Sequence, residues 1–160
     1  MSKSDFKEAL GKFPLGVSVV TVGFGGIENG LTVSWASPIS FEPLQFVISV
    51  DKNHYSIEIL ESTRNFVINV LKKEQTKLAA HFAKRSMSDA EKLDGASTRE
   101  ADSGGIILTD ALAYFDCEVI GLHEYGDHKI YIGQVIEAAV LNDGEPMTTI
   151  QGMQYDKKTS

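Results

Sequence analysis

Side chains able to bind or react gather in one stretch, Leu31 to Ser56, with the sequence LTVSWASPISFEPLQFVISVDKNHYS. Its first half is dense in hydroxyls: Thr32, Ser34, Ser37 and Ser40. Trp35, the single tryptophan of the chain, stands among them. Hydroxyl and backbone donors beside an aromatic ring suit a flat, polar heterocycle. The second half closes on Lys52 and Ser56, just before a helical pattern. A cation and a hydroxyl beside the free N–H groups of a helix entrance suit a phosphate. Together the halves point to a nucleotide-like cofactor. Plainer readings stand beside this one. Ser34 and Ser37 also satisfy local backbone groups in turns. Lys52 also fits a solvated lysine, and Ser56 a simple helix cap. Trp35 suits a core position, a subunit contact or a ring neighbour.

The elements that must position these residues follow from periodicity. Ser4 to Phe13 reads as a short helix capped by Ser4, with Phe6, Leu10 and Phe13 near one face. Val17 to Val22 is a β-favoured run buried on both faces. Gly23 to Gly26 and Asn29-Gly30 frame a hairpin turn, and Leu31 to Ser37 is its second arm. Pro38 and Pro43 bracket a loop or an edge segment. Leu44 to Val50 is a strand, and a helix runs from Ile57 through Ser62 with Asn65 as its stop. Phe66 to Leu71 is a strand. Lys72 to Lys84 reads as a helix with Leu78, Ala79 and Phe82 inward, and Ser86 to Leu93 as a second, charged helical stretch. Residues 94–105 read as a surface loop. Tyr114 to Ile120 alternates Phe115, Cys117 and Val119 inward with Asp116 and Glu118 outward. Ile130 to Val140 is a long strand with Gly133 at a bulge or close approach. Close-spaced strands and tight turns favour an antiparallel barrel with helices over its ends.

The 160 residues carry a net charge of −7 from 22 acidic and 15 basic side chains. That balance argues against nucleic acid or an anionic membrane as a partner. The single cysteine, Cys117, excludes an intrachain disulfide and reads as a buried thiol. No apolar run approaches the roughly 20 residues of a membrane helix, and the N-terminus lacks a signal-type apolar core. The expectation is one cytoplasmic domain over residues 1–160. His54, His81, His123 and His128 lack ligand spacing, so no metal is expected; His54 and Tyr55 read as surface or interface. Gly23-Phe24-Gly25-Gly26 is neither a P-loop nor a dinucleotide fingerprint.

The order of motifs resembles the flavin reductase-like proteins of the FMN-binding split-barrel fold. Its carriers are FPLGVSVVTV, GLTVSWASPISFEPLQFVISV, KNHYSIEILESTRNFVINVL, HFAKRSMSDAEKLDG and GDHKIYIGQV, spread from about Phe6 to the tail. One departure is the turn Glu42-Pro43, where the family commonly has two adjacent prolines.

The resemblance implies a mainly β, six-stranded antiparallel Greek-key split barrel with peripheral helices. It implies FMN, NADH or NADPH as donor, and a homodimer whose partner subunit helps wall the site. Thr32, Val33, Ser34, Trp35 and Ser37 would then match the pyrimidine edge of the flavin. Lys52 and Ser56 would hold its phosphate, with Ser49 and Asn53 at the ribityl chain. Phe82 and Lys84, with Arg85, follow a helix the family brings near the flavin, although Phe82 also reads as core and Lys84 as a solvated helix end. His128 matches a histidine near the nicotinamide side, the one catalytic candidate. It equally suits a structural turn held by Asp127. The implied activity is flavin reduction by NAD(P)H, passing electrons to free flavin, iron or a redox partner protein. The rival is a non-catalytic FMN electron carrier with no pyridine-nucleotide site; a flavin-storage or sensing role is a third reading.

Overall fold

The computed structural model describes residues 2–84 and 92–150. Helix α1 spans Lys3–Lys12, and Ser2 rather than Ser4 caps it. The Ser2 hydroxyl accepts from the Asp5 N–H while the Asp5 carboxylate accepts from the Ser2 N–H, a reciprocal capping box. None of its residues is buried.

Strands β1 (Ser18–Phe24) and β2 (Ile27–Val33) form the first hairpin, turning at Gly25-Gly26. Asn29 and Gly30 therefore lie inside β2, not in its turn. The expected second arm breaks at Ser34-Trp35 and resumes as β3 (Ala36–Phe41). β3 pairs with β4 (Leu44–Asp51) through a turn at Glu42-Pro43, whose peptide bond is cis. Helix α2 (Ser56–Thr63) ends on Arg64 in the left-handed region, one residue before the expected stop at Asn65. Then come β5 (Asn65–Val70) and the short α3 (Thr76–Phe82). Residues Lys72 to Gln75, expected as helix, form a turn, and Lys72 bridges to Pro146. Of the charged helical stretch expected over Ser86–Leu93, only Lys92 and Leu93 fall among the described residues.

The segment expected to be a bare loop contains β6 (Thr98–Glu100), which pairs with β7 (Ile106–Leu108) in a small separate sheet. Two long strands, β8 (Ala113–Tyr125) and β9 (His128–Val140), complete the fold.

The main sheet has seven strands in the order β2-β1-β5-β8-β9-β4-β3, every pair antiparallel. The expectation of a mainly antiparallel β fold holds, but its six strands are corrected to seven. Pro38 does not end the sheet but adds an edge strand, where its missing N–H is harmless. β2 and β3 are its two edges, and the described residues show no ladder between them. The sheet nonetheless curls. Leu31 and Val33 of one flank share a core with Ile48 and Val50 near the other. Ile57, Ile59 and Leu60 of α2 pack into the same core, filling the curl. Gly133 sits where β9 crosses this core. A Cβ there would lie 2.4 Å from Phe66 Cζ and 2.8 Å from Cys117 Cβ, so only glycine fits. The ladder irregularities flank Gly133 rather than fall on it.

A second core lies on the other face of β1, joining Val17 and Val19 to Ala79 and Phe82. Both faces of β1 are thus covered, as its unbroken apolar run requires. The β6-β7 hairpin packs over a third cluster with Val67, Ile107 and Tyr114. This placement overturns the outward position expected for Asp116. It is fully buried and accepts hydrogen bonds from the Ser103 N–H and hydroxyl. Burial pushes its carboxyl pKa up.

Candidate functional site

The site is built where β4 lies between β3 and the start of β9. Ser49, on the face of β4 opposite the buried Ile48 and Val50, pairs with Ile130, and Asp51 pairs with His128. The Ser49 N–H donates to the Trp35 carbonyl at 2.9 Å, which fixes the break between β2 and β3 against β4. The Trp35 ring then stacks on His128, with centroids 4.8 Å apart and planes 37° from parallel. Trp35 is 37% exposed, which removes the core reading of this residue.

Beside this pair lies a trough of about 340 Å³. Trp35, Ser37, Val47, Ser49 and Ile130 line it, together with Leu10 of α1 and Phe13, the C-cap of that helix. The walls are overwhelmingly apolar, with two hydroxyls at the floor. Such a surface suits a planar ring with polar edges. The Ser37 hydroxyl donates to the Pro38 carbonyl at 2.9 Å, leaving its lone pairs to accept.

Lys52 follows the last residue of β4, outside the trough lining, with its N–H bonded to the Asp127 carbonyl at 3.1 Å. Its ammonium forms an ion pair with Glu124 at 3.5 Å and stays about one third exposed. His128 Nδ1–H donates to Asp127 Oδ1 at 2.6 Å, and this bond holds the Asp127 carboxyl below its usual range. Lys129 donates to Glu61 at 2.7 Å, and the Tyr131 hydroxyl donates to the same oxygen at 2.9 Å. The Lys129 bond lowers the Glu61 pKa; burial foremost, then the Glu61 contact, raises that of Tyr131.

The structure thus gathers Trp35, Ser37 and Ser49 along the trough and His128 against Trp35, with Lys52 beside the His128 turn. Asn53 follows Lys52 on the surface, its N–H bonded to Asp51 Oδ1. Ser34 is half-buried at the strand break. The other candidates point elsewhere. Thr32 donates its hydroxyl to the Ala79 carbonyl at 2.6 Å, so that hydroxyl serves α3. The Val33 side chain belongs to the first core. Phe82 belongs to the second, its ring covering Gly30, where a Cβ would meet it at 2.6 Å. Phe82 is therefore a packing residue. Lys84 is exposed at the end of α3, and Arg85 lies outside the described residues. Ser56 is the first residue of α2, not its cap, which is Tyr55. It is fully buried, and its Oγ has no hydrogen-bond partner among the described residues. A phosphate on Lys52 would not reach that hydroxyl without local movement.

Sequence reasoning missed Leu10, Phe13, Val47 and Ile130 as trough walls and Glu124 as the partner of Lys52. For Val47 the signal was available, since period two places it on the face of Ser49. For Glu124 no local signal exists, because its meeting with Lys52 depends on β8 and β9 turning together.

The flavin reductase like domain model matches residues 10–157. The chain belongs to that family. Among curated family relatives, the reductase subunit HsaB of a flavin-dependent monooxygenase of Rhodococcus jostii is 31% identical, over 94% of this chain and 75% of its own. The NADH-dependent FMN reductase AsuE2 of Streptomyces nodosus is also 31% identical, over 84% of this chain and 74% of its own. The solved NADH:FAD oxidoreductase SgcE6 of Streptomyces globisporus superposes with a TM-score of 0.87 at 30% identity, covering 99% of this chain and 94% of that one. Other relatives are much longer. The diflavin flavoprotein A 1 of Synechocystis sp. is 35% identical over 92% of this chain, which spans 26% of its length. No helix of this flavin reductase-like chain, among the described residues, is long and apolar enough to cross a membrane. Nor do those residues contain a cluster of metal-ligating side chains.

Proposed function

We propose that this chain is an FMN-dependent NAD(P)H oxidoreductase, working as a homodimer on a single split-barrel domain. The observation that carries the reading is the trough bordered by Trp35, whose ring stacks on His128, with Lys52 tied to the neighbouring Asp127 just beyond β4. The residues fit a flavin nucleotide. An apolar trough floored by two hydroxyls takes the ring, and the Lys52 ammonium, about one third exposed just beyond β4, takes the phosphate. FMN is preferred because the one cation assigned to the phosphate, Lys52, matches one monophosphate; the FMN-named relative supports this, and the FAD-named one supplies the competing ligand to test.

When bound, the flavin supplies the hydride acceptor, and a nicotinamide the hydride. The chain's own residues do the positioning. Val47, Ile130 and Phe13 exclude water from one side of the trough. Ser37 and Ser49 orient the polar edge of the ring, and Lys52 anchors the phosphate. His128, held by Asp127, borders the nicotinamide side and presents its second ring nitrogen there. Leu10, Phe13 and Trp35 are exposed apolar groups beside the trough, and a second copy that covers them completes the wall.

Titration with FMN and FAD, followed by anaerobic mixing with NADH and NADPH, tests the reading. We expect saturable FMN binding and bleaching of the flavin band on a turnover timescale. A flat titration with both flavins removes it. A second reading, a non-catalytic FMN carrier passing electrons between proteins, draws support from the match to one quarter of a longer diflavin flavoprotein. Tight FMN binding without bleaching selects it.

A further inference from the structure

Glu124 is absorbed by neither the trough nor the His128 turn, yet it holds the ammonium that would anchor a phosphate. It stands on β8 directly across from Lys129 on β9. Its two oxygens address different lysines. Oε2 lies 3.5 Å from Lys52 Nζ, and Oε1 lies 3.6 Å from Lys129 Nζ. Lys129 does not need it, because Glu61 already sits 2.7 Å from that ammonium and Tyr131 donates to the same Glu61 oxygen. Lys52 has Glu124 as its only ion-pair partner among the described residues. Asp51 precedes Lys52 in the chain and the Asp127 carbonyl accepts its N–H, so further carboxylates stand near this lysine.

We infer that Glu124 is an affinity-setting residue for the flavin phosphate, a carboxylate that occupies Lys52 until a phosphate displaces it. This rests on the proposed role of Lys52 at the phosphate. A phosphate dianion arriving at Lys52 must break the Lys52–Glu124 pair and accept a carboxylate as neighbour. Glu124 has a place to go, since its other oxygen already faces Lys129 and its side chain is more than half exposed. The exchange swaps one anion for another at Lys52, so the net gain is smaller than for an open lysine.

The test is FMN and riboflavin affinity for the full chain, Glu124→Gln, Lys52→Ala and the double variant. Exposed ion pairs of this kind correspond to about a two- to fivefold change in affinity. We expect Glu124→Gln to tighten FMN by about that factor, to leave riboflavin unchanged, and to lose its effect when Lys52 is alanine. Unchanged or weaker FMN binding in Glu124→Gln overturns the inference. So does tightening that persists without Lys52, which would mark a diffuse charge effect. Equal loss of FMN and riboflavin in Lys52→Ala alone removes the phosphate role of Lys52, and this inference with it. That failure is read from the single lysine variant and is distinct from a failure at Glu124. Glu124→Ala, at the same exposed position, repeats the measurement should the glutamine variant fold poorly.

Discussion

Trp35 and His128 stack across 4.8 Å although strands β4, β5 and β8 lie between them in sequence. Their meeting depends on two backbone facts. The Ser49 N–H holds the Trp35 carbonyl, and Asp51 pairs with His128 at the start of β9. The imidazole is thus held between an indole ring and the Asp127 carboxylate.

His128→Ala should leave FMN affinity nearly intact and slow flavin reduction by NAD(P)H. Loss of about one hydrogen bond, ~1 kcal/mol, corresponds to roughly fivefold in rate. Stopped-flow reduction, FMN titration and a melting curve on the same variant separate the roles. Joint loss of Tm and FMN affinity with normal reduction per bound flavin would make His128 a turn residue alone.

Lys52→Ala should weaken FMN more than riboflavin, which lacks the phosphate. The ammonium is partly exposed and already paired with Glu124, so the loss should be at the low end for a charged contact, about 1 kcal/mol or roughly fivefold. Fluorescence titration with the two ligands gives the ratio directly.

The buried carboxyl of Asp116 predicts a pH effect opposite to that of a paired surface acid. Its folded pKa is raised by burial, so between the unfolded value and the folded one the native state binds the extra proton. Its contribution is therefore most favourable below about pH 4, the ordinary range of an aspartate, and is lost as pH rises through the folded pKa. Asp116→Asn should gain on the parent protein as pH climbs from about 4 toward 7. Melting curves across that range check it, and a difference independent of pH would contradict it.

Gly133→Ala should destabilise the fold by about 1–3 kcal/mol, the usual cost of overpacking a core. The new methyl would collide with Phe66 and Cys117. Denaturant unfolding measures this, and a neutral result would mean that β9 can shift away from Phe66.

Much of the fold was legible because each strand carries a simple signal. β1 reads as doubly buried, and Gly133 reads as a close approach. Elements went unread where tertiary contacts overrode local character. β3 forms despite Pro38 because an edge strand tolerates the missing donor. β6 and β7 form because Ile106 to Leu108 bury against β1 and β5, which no local period reveals. Asp116 reads as an outward alternate residue, but the β6-β7 hairpin covers that outer face. In the site, the segment from Trp35 to Lys52 was legible through its hydroxyls and charge. The role of Thr32 was not, since α3 claims its hydroxyl, whereas the core position of Phe82 was read from its place on the inner side of the helix.

The edge strand β3 also limits how another chain can join the sheet. Pro38 offers no amide hydrogen, and the register shifts between Pro38 and Ser40. A growing ladder would meet a missing rung and a change of pitch within one short strand. Ile39 and Phe41 meanwhile stand out from it, 51% and 89% exposed. Any molecule that settles along this border must do so by side-chain contact, as a lid rests on a rim, and not by extending the sheet from one chain into the next.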